Sequence, residues 1–338
     1  MKGAIDMRNR KTITAILSAL LVLAIITGAF SLAGCHRKAA PELSNINSNE
    51  ATKRVYAYLC SLKGEGVLTA QQESTWMDSS EYEMEYIFSA SGKYPAIRGL
   101  DYMNDDFDGV NERAAEWWSR GGLVTICWHT GADFSGEWKD ASNDEIASWE
   151  AVLTDGTPEN EQFIAGMDKA AKALSELQEQ GVTVIWRPFH EFDGSWFWWG
   201  KGGPENFIKL WRLMYERYTE HWHLNNLIWV LGFSHNGEDY RSWYPGDEYC
   251  DIIGADSYDG GAQPKLYWKV SAVNKARKPL CFHECGANPT EAELRKTKWI
   301  WFMTWHTEYL TDNNGKDEIN ALYNGDYVIT LDELPRFF

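Results

Sequence analysis

The chain is 338 residues long and 14% aromatic, with 18 Trp against 14 Phe. Its formal charge is −17, and the first 34 residues (Lys2, Arg8, Arg10 and Lys11 against Asp6) are net +3, so the remainder stands at −20. So acidic a protein is excluded as a good partner for nucleic acid or an anionic membrane surface, and a neutral ligand suits it better.

Taken in order, residues 2–11 are basic and residues 13–32 carry no charge, the pattern of an export signal. Leu32-Ala33-Gly34-Cys35 resembles the bacterial lipobox, which implies cleavage before Cys35 and lipidation of that residue at the new N-terminus. An uncleaved signal anchor is the alternative, since the apolar run is long enough to span a bilayer. Residues 1–34 are therefore expected to be a lipoprotein signal peptide, 35–49 a polar tether and 50–338 one folded domain. Such a protein is exported and meets the membrane only through its lipid. The other five cysteines are odd in number, so at least one is unpaired, and no CxxC spacing marks a zinc site. Cys127 and Cys281 lie inside strand-like runs and read as small core hydrophobes.

Eight strand-like segments follow, at residues 66–71, 94–101, 123–129, 182–190, 227–233, 251–257, 279–284 and 300–306. Helical patterns separate several of them. Residues 159–180 space Phe163, Met167, Ala170, Ala171, Leu174 and Leu177 three and four apart, with Pro158 before and Gly181 after as start and stop signals. Residues 111–120 and 204–221 carry similar stripes. Strands alternating with helices imply a parallel sheet, and eight such units imply a closed (β/α)8 TIM barrel. An open doubly wound sheet is disfavoured, because no glycine-rich phosphate turn follows the first strand. No Pro/Gly-rich linker divides the chain after residue 50, so a single domain is expected.

In a barrel, the C-terminal strand ends face the site. Here they carry Asp101, Trp128-His129, His190-Glu191, Asp256 with Tyr258, His283-Glu284 and Trp305-His306. The fourth segment stands out. It opens as a buried strand, ends in Arg187, His190 and Glu191, and runs on into Trp196-Phe197-Trp198-Trp199. A core strand with an aromatic packing cluster accounts for Trp198 or Trp199. It does not account for adjacent His190 and Glu191, because charged residues are rarely buried unpaired. Glu191 and Glu284 end the fourth and seventh strands, which lie across an eight-membered ring from each other, so their carboxyls can converge on one bond. An acid and a second carboxylate beside a tryptophan-rich cleft are what glycosidic bond cleavage needs.

Arg187-Pro188-Phe189-His190-Glu191, followed by Trp196-Phe197-Trp198-Trp199-Gly200, resembles the acid/base segment of glycoside hydrolase family 26, mainly endo-β-1,4-mannanases of the (β/α)8 retaining clan. The resemblance extends over roughly residues 50–338. It implies Glu191 as acid/base and Glu284 as nucleophile, with Tyr258 hydrogen-bonding the nucleophile. It implies that Arg187 and His190 hold the nucleophile and the reacting sugar, that His129 binds sugar, and that Trp196, Trp305 and, in a looser loop, Trp138 wall the cleft. The carboxyl groups are then expected about 5–5.5 Å apart, with retention of anomeric configuration. The expected ligand is a β-mannan polysaccharide or oligosaccharide, taken by a monomer with no cofactor or metal. Same-family alternatives are an exo-acting, mannobiose-releasing enzyme and action on β-1,3-xylan or β-glucan. A metal-dependent hydrolase using His129, His190, His283 and Asp256, and a non-catalytic glycan-binding lipoprotein, are the rivals from other classes.

Overall fold

Strand segments with apolar residues on both faces can only be interior strands, and that is how they fold. The structure is a computed structural model that describes residues 41–338; Cys35 and the leader lie outside the described residues. The eight expected segments form β1 (Val67–Gln72), β2 (Ile97–Asp101), β3 (Leu123–Cys127), β4 (Val184–Arg187), β5 (Leu227–Ser234), β6 (Ile252–Ser257), β7 (Leu280–Cys285) and β8 (Trp301–Thr304). Each is parallel to its sequence neighbours, and β1 pairs with both β8 and β2, at Ala70↔Met303 and Ala70↔Ile97. The ring is closed, a (β/α)8 barrel. A ninth short strand, β9 (Val328–Ile329), was not foreseen. It pairs with Val67 and Leu68, occupying the edge of β1 just before β2 takes over.

Three expected strands stop early. β3 ends at Cys127, before Trp128 and His129. β4 ends at Arg187 because Pro188 has no N–H to donate and Phe189 turns left-handed at φ 47°. β8 ends at Thr304, so Trp305 and His306 belong to the loop that follows it. The long helix Pro158–Glu179 begins where Thr157 accepts the Asn160 N–H, with Pro at a position needing no donor. Cys127 and Cys281 are buried in the barrel wall, as expected.

The polar stretch before the first helix, Glu50–Ser61, differs from the expected tether. From Ser44 onward it is packed against the N-terminal end of the barrel. The Ser44 N–H donates to Asp251 (2.6 Å), the Asn45 amide to the Leu224 carbonyl (3.1 Å), and the Asn49 N–H to the Asn225 carbonyl (2.8 Å). Asn45 and Ser48 are buried, and Asn49 caps the helix. Polar residues without periodicity read as a spacer, yet here they satisfy backbone groups left open below β5 and β6. Asp251 is the anchor. It is fully buried and its other oxygen accepts the Trp229 N–H at 2.8 Å. Asp251→Ala strands both donors, so urea unfolding is expected to show a loss of about 3 kcal/mol. A loss under about 1 kcal/mol would show the segment to be dispensable.

Candidate active site

The site is assembled from irregularities at the strand ends. After Arg187 the chain turns through Pro188 and left-handed Phe189 to Glu191, itself left-handed at φ 52°, ψ 28°. Such a backbone costs a non-glycine residue about 1 kcal/mol or more. It is held by the Glu191 N–H donating to the Gly232 carbonyl on β5 at 2.8 Å. Gly232 leaves little room for a side chain, since a Cβ there would lie 3.0 Å from Arg187 Nε and 3.3 Å from His190 Cβ. Three residues past Glu191, a Cβ on Gly194 would sit 2.1 Å from the Trp196 ring. That glycine lets the indole fold back, so its Nε1 donates to Glu191 Oε2 at 2.9 Å.

β7 presents Glu284 by a different device. In its pairing with β8, His283 faces Met303 and Cys285 faces Thr304, so Glu284 is the extra residue of a β-bulge; the register with β6 slips at the same place. A bulge re-aims the side chain it carries. Here the carboxylate turns toward the barrel centre, where Arg187 Nη1 donates to Oε1 (2.8 Å) and the Tyr258 hydroxyl to Oε2 (2.5 Å). Arg187 Nη2 donates to Asp256 on β6 and to the His283 carbonyl (2.8 Å). Arg187 and Asp256 are fully inaccessible to solvent. One oxygen from each of Glu191, Asp256 and Glu284 lies within 4.8 Å of the others. That approach fits the separation of about 5–5.5 Å of a nucleophile with its acid and is shorter than the roughly 6.5–9.5 Å that leaves room for a water.

The charges are distributed unequally. Burial, and then the negative Glu284, push the Glu191 carboxyl up to about 7, although Arg187 and the Trp196 N–H oppose the shift. Glu191 is therefore substantially protonated near neutrality, while Glu284 has a guanidinium and a phenol against its two oxygens. Burial and the Arg187 charge hold the His190 imidazole well below its usual range, so it is neutral. Its Nε2 stands 3.7 Å from Glu284 Oε1, beyond hydrogen-bond reach. His129 goes the other way: burial disfavours its charged form, but Asp101, 2.6 Å from Nδ1, more than offsets this and raises it.

A cavity of about 530 Å³ opens beside this centre. His129, Trp138, His190, Glu191, Tyr258, Glu284 and Trp305 all line it, and Arg187 lies beneath it. Trp196 does not line it and reaches the site through its bond to Glu191. Within the four-aromatic run, Trp198 and Trp199 are packing residues. Both are fully buried, and their indoles donate to the Thr130 and His190 carbonyls. Sequence reasoning gave Asp101 no role beyond its strand-end position and Asp256 only a place in the rival metal-site reading, and it missed Gln72, Glu73, Trp76, Asn104 and Asp106 on the cavity wall. The signal for Trp76 was present, as a large aromatic among polar residues just past a strand end.

Residues 44–333 match the sequence profile of Glycosyl hydrolase family 26. The mannan endo-1,4-β-mannosidase of Thermothelomyces thermophilus is 32% identical over 317 residues, covering 86% of this chain and 63% of the relative. Mannan endo-1,4-β-mannosidase B of a Piromyces species is also 32% identical, covering 89% and 55%. Among solved structures, a ruminal GH26 endo-β-1,4-mannanase superposes with a TM-score of 0.82 at 30% identity, covering 88% of this chain and 71% of that one. The chain thus spans between about half and two thirds of the length of these curated relatives. A profile matched over most of the chain, around two carboxylates presented by β4 and β7, fixes the assignment: this chain belongs to glycosyl hydrolase family 26.

Proposed function

We propose that this protein is an endo-acting, retaining β-1,4-mannanase in which Glu191 is the acid/base and Glu284 the nucleophile. The observation that carries the reading is the close approach of two carboxylates in opposite electrostatic settings, within a cleft lined by aromatic rings. Protonated Glu191 donates its proton to the glycosidic oxygen as that bond breaks, and Glu284 attacks the anomeric carbon to give a covalent glycosyl-enzyme. Arg187 and Tyr258 keep the attacking carboxylate oriented and solvated by fixed dipoles until it reacts. Once esterified, Glu284 no longer bears the charge that helped to raise Glu191. The acid then weakens its hold on a proton and serves as base toward the incoming water. Mannan as the polymer rests on similarity to relatives that are mannan endo-1,4-β-mannosidases.

The first test is a product time course on unbranched β-1,4-mannan with Glu191→Ala and Glu284→Ala as controls. The expected outcome is a ladder of short mannooligosaccharides from the wild type, with a rate loss of about 10²–10⁴ for Glu191→Ala and at least as much for Glu284→Ala. A single disaccharide from the earliest time point would mean exo action. Hydrolysis of β-1,3-xylan or mixed-linkage β-glucan in place of mannan would keep the two carboxylates and change the polymer. Binding of mannan with no products from any of these would sink the enzymatic reading.

The pH profile gives a second test. Glu191 must be protonated for the first step, so kcat/KM is expected to fall as pH rises through about 7. The Trp196 N–H favours the ionised form of Glu191. Trp196→Phe removes that bond and is expected to move the basic limb upward by up to about one pH unit. A downward shift would contradict the assignment of the acid.

The leader pattern supports a further part of the proposal: the protein is an exported lipoprotein of 1–34 signal, lipidated Cys35 and a catalytic domain that acts as a monomer on the cell surface or periplasmic face. Among the described residues no helix is long and apolar enough to cross a membrane. Wild type is expected to incorporate radiolabelled palmitate and Cys35→Ser to lose it and keep its leader, while the enzyme begun at residue 41 runs as an active monomer on gel filtration. No label in the wild type would instead favour the signal anchor.

A further inference from the structure

The strand ends bring together one set of donors that the hydrolysis does not use as a set. Asp101 ends β2 and Cys127 ends β3, and the two are register partners in the parallel pair, so their side chains leave the sheet on the same face. His129 follows two residues on and is tied to Asp101 twice. Its backbone N–H donates to Oδ1 at 3.0 Å, and its Nδ1 lies 2.6 Å from Oδ2. The Cys127 thiol has one weak partner, the Leu100 carbonyl at 3.5 Å. A carboxylate oxygen, the thiol sulfur and a ring nitrogen from these three residues all lie within 4.8 Å of one another.

One sulfur, one nitrogen and one oxygen are the ligand types of zinc, which holds them at about 2.3, 2.0–2.1 and 2.0–2.2 Å. Donors gathered this closely reach a single ion with small movements. A thiolate among them selects a thiophilic divalent cation over magnesium or calcium. Asp101 and His129 line the cavity, which gives the ion an entry path and leaves its fourth position open to water. The charges also balance. As the ion binds, the Cys127 thiol and the Asp101–His129 pair each release one proton to solvent, so a dipositive ion replaces two protons and the charge inside the barrel does not change. The other cluster of close donors, Glu191 with Asp256 and Glu284, is poorer in this respect. Arg187 already lies against Asp256 and Glu284, and its guanidinium opposes a second cation there.

We propose that Asp101, Cys127 and His129 form a binding site for zinc or a chemically similar thiophilic cation, and that its occupancy closes the cleft to substrate. The His129 ring stands 4.6 Å from that of His190, centroid to centroid, on the wall of the same cavity as both catalytic carboxylates. An ion held on His129, with its water, takes the space a sugar would fill. The metal is thus an inhibitor and no part of the hydrolysis. Its effect on activity rests on the mannanase reading, whereas its binding does not.

Two measurements on the full chain test the site. The first is a cadmium titration followed by the ultraviolet charge-transfer absorption of a cadmium–thiolate bond, which needs no substrate. Wild type is expected to develop the band, and Cys127→Ala to lose it. The second is mannan hydrolysis with added zinc. Wild type is expected to lose activity through a rise in KM with kcat held, and to recover it on chelation. Cys127 touches neither catalytic carboxylate. Cys127→Ala is therefore expected to keep the metal-free rate and to need at least about ten times more zinc for half inhibition. Cys127→Ser, closer in volume, is expected to behave in the same way. No band in the wild type would overturn the site. So would a band that survives the substitution, which would belong to another thiol such as half-buried Cys60. Zinc inhibition unchanged in both variants would place the ion on the carboxylates instead. Wild type that binds cadmium through Cys127 but leaves mannan intact without metal would bring down the mannanase reading and keep the metal site.

Discussion

The guanidinium of Arg187 is the constraint on which the rest of the site depends. It sits at the end of β4 with no solvent contact and spends its donors on Asp256 of β6 and on the side chain of Glu284 and the carbonyl of His283, both on β7. A charge so deeply buried is tolerated only when its partners are charged and close. Arginine rather than lysine suits the place, since a rigid fork can bind two carboxylates at once. The pairing across the barrel also explains the missing Cβ at Gly232, which clears the path for the side chain. With the positive charge committed to Glu284 and Asp256, Glu191 is left with burial and a negative neighbour, and so retains its proton. One cation thus separates two chemically identical side chains into two roles.

The backbone around this centre departs from regular geometry wherever a side chain must be aimed. Phe189, Glu191 and Ser195 all adopt positive φ within seven residues, and the bulge at Glu284 breaks the β7 ladder. Hydrogen bonds stand beside these departures: the Glu191 N–H on the Gly232 carbonyl, the Trp305 N–H on the Cys285 carbonyl beside the bulge, and Asp193 accepting the Ser234 N–H at 2.7 Å. The barrel wall supplies the rigidity. Its strands are buried on both faces, so local strain at the rim is borne by packing formed elsewhere. This is why the loops carry the function while the strands carry the stability.

The two ends of the barrel are organised by the same kind of interaction, a buried carboxylate accepting neutral N–H and O–H donors. Asp251 fastens the chain entry to the N-terminal face, and Glu83 fastens the β1 and β8 loops at the catalytic face. Neither relies on a salt bridge, and both convert a polar stretch into ordered structure.

Much of this was legible in the sequence. Unbroken apolar runs between amphipathic helices allow only an interior parallel sheet, and eight of them allow a closed ring. The titratable residues at the C-terminal ends of the runs then name the site, because burial of His190-Glu191 has no structural excuse. What the sequence did not determine is which groups touch. That Trp198 and Trp199 are core while Trp196 reaches Glu191 depends on Gly194 letting one indole fold back, a contact without periodicity. That Asp256 belongs to the charge network, and Asp251 and Glu83 to the staples, depends on which strands become neighbours. The polar stretch at 44–49 looked like a spacer because hydrogen-bond partners far away in the chain leave no local pattern. Local chemistry wrote the strands and the acid; closure of the ring decided the distances, and with them the protonation of Glu191.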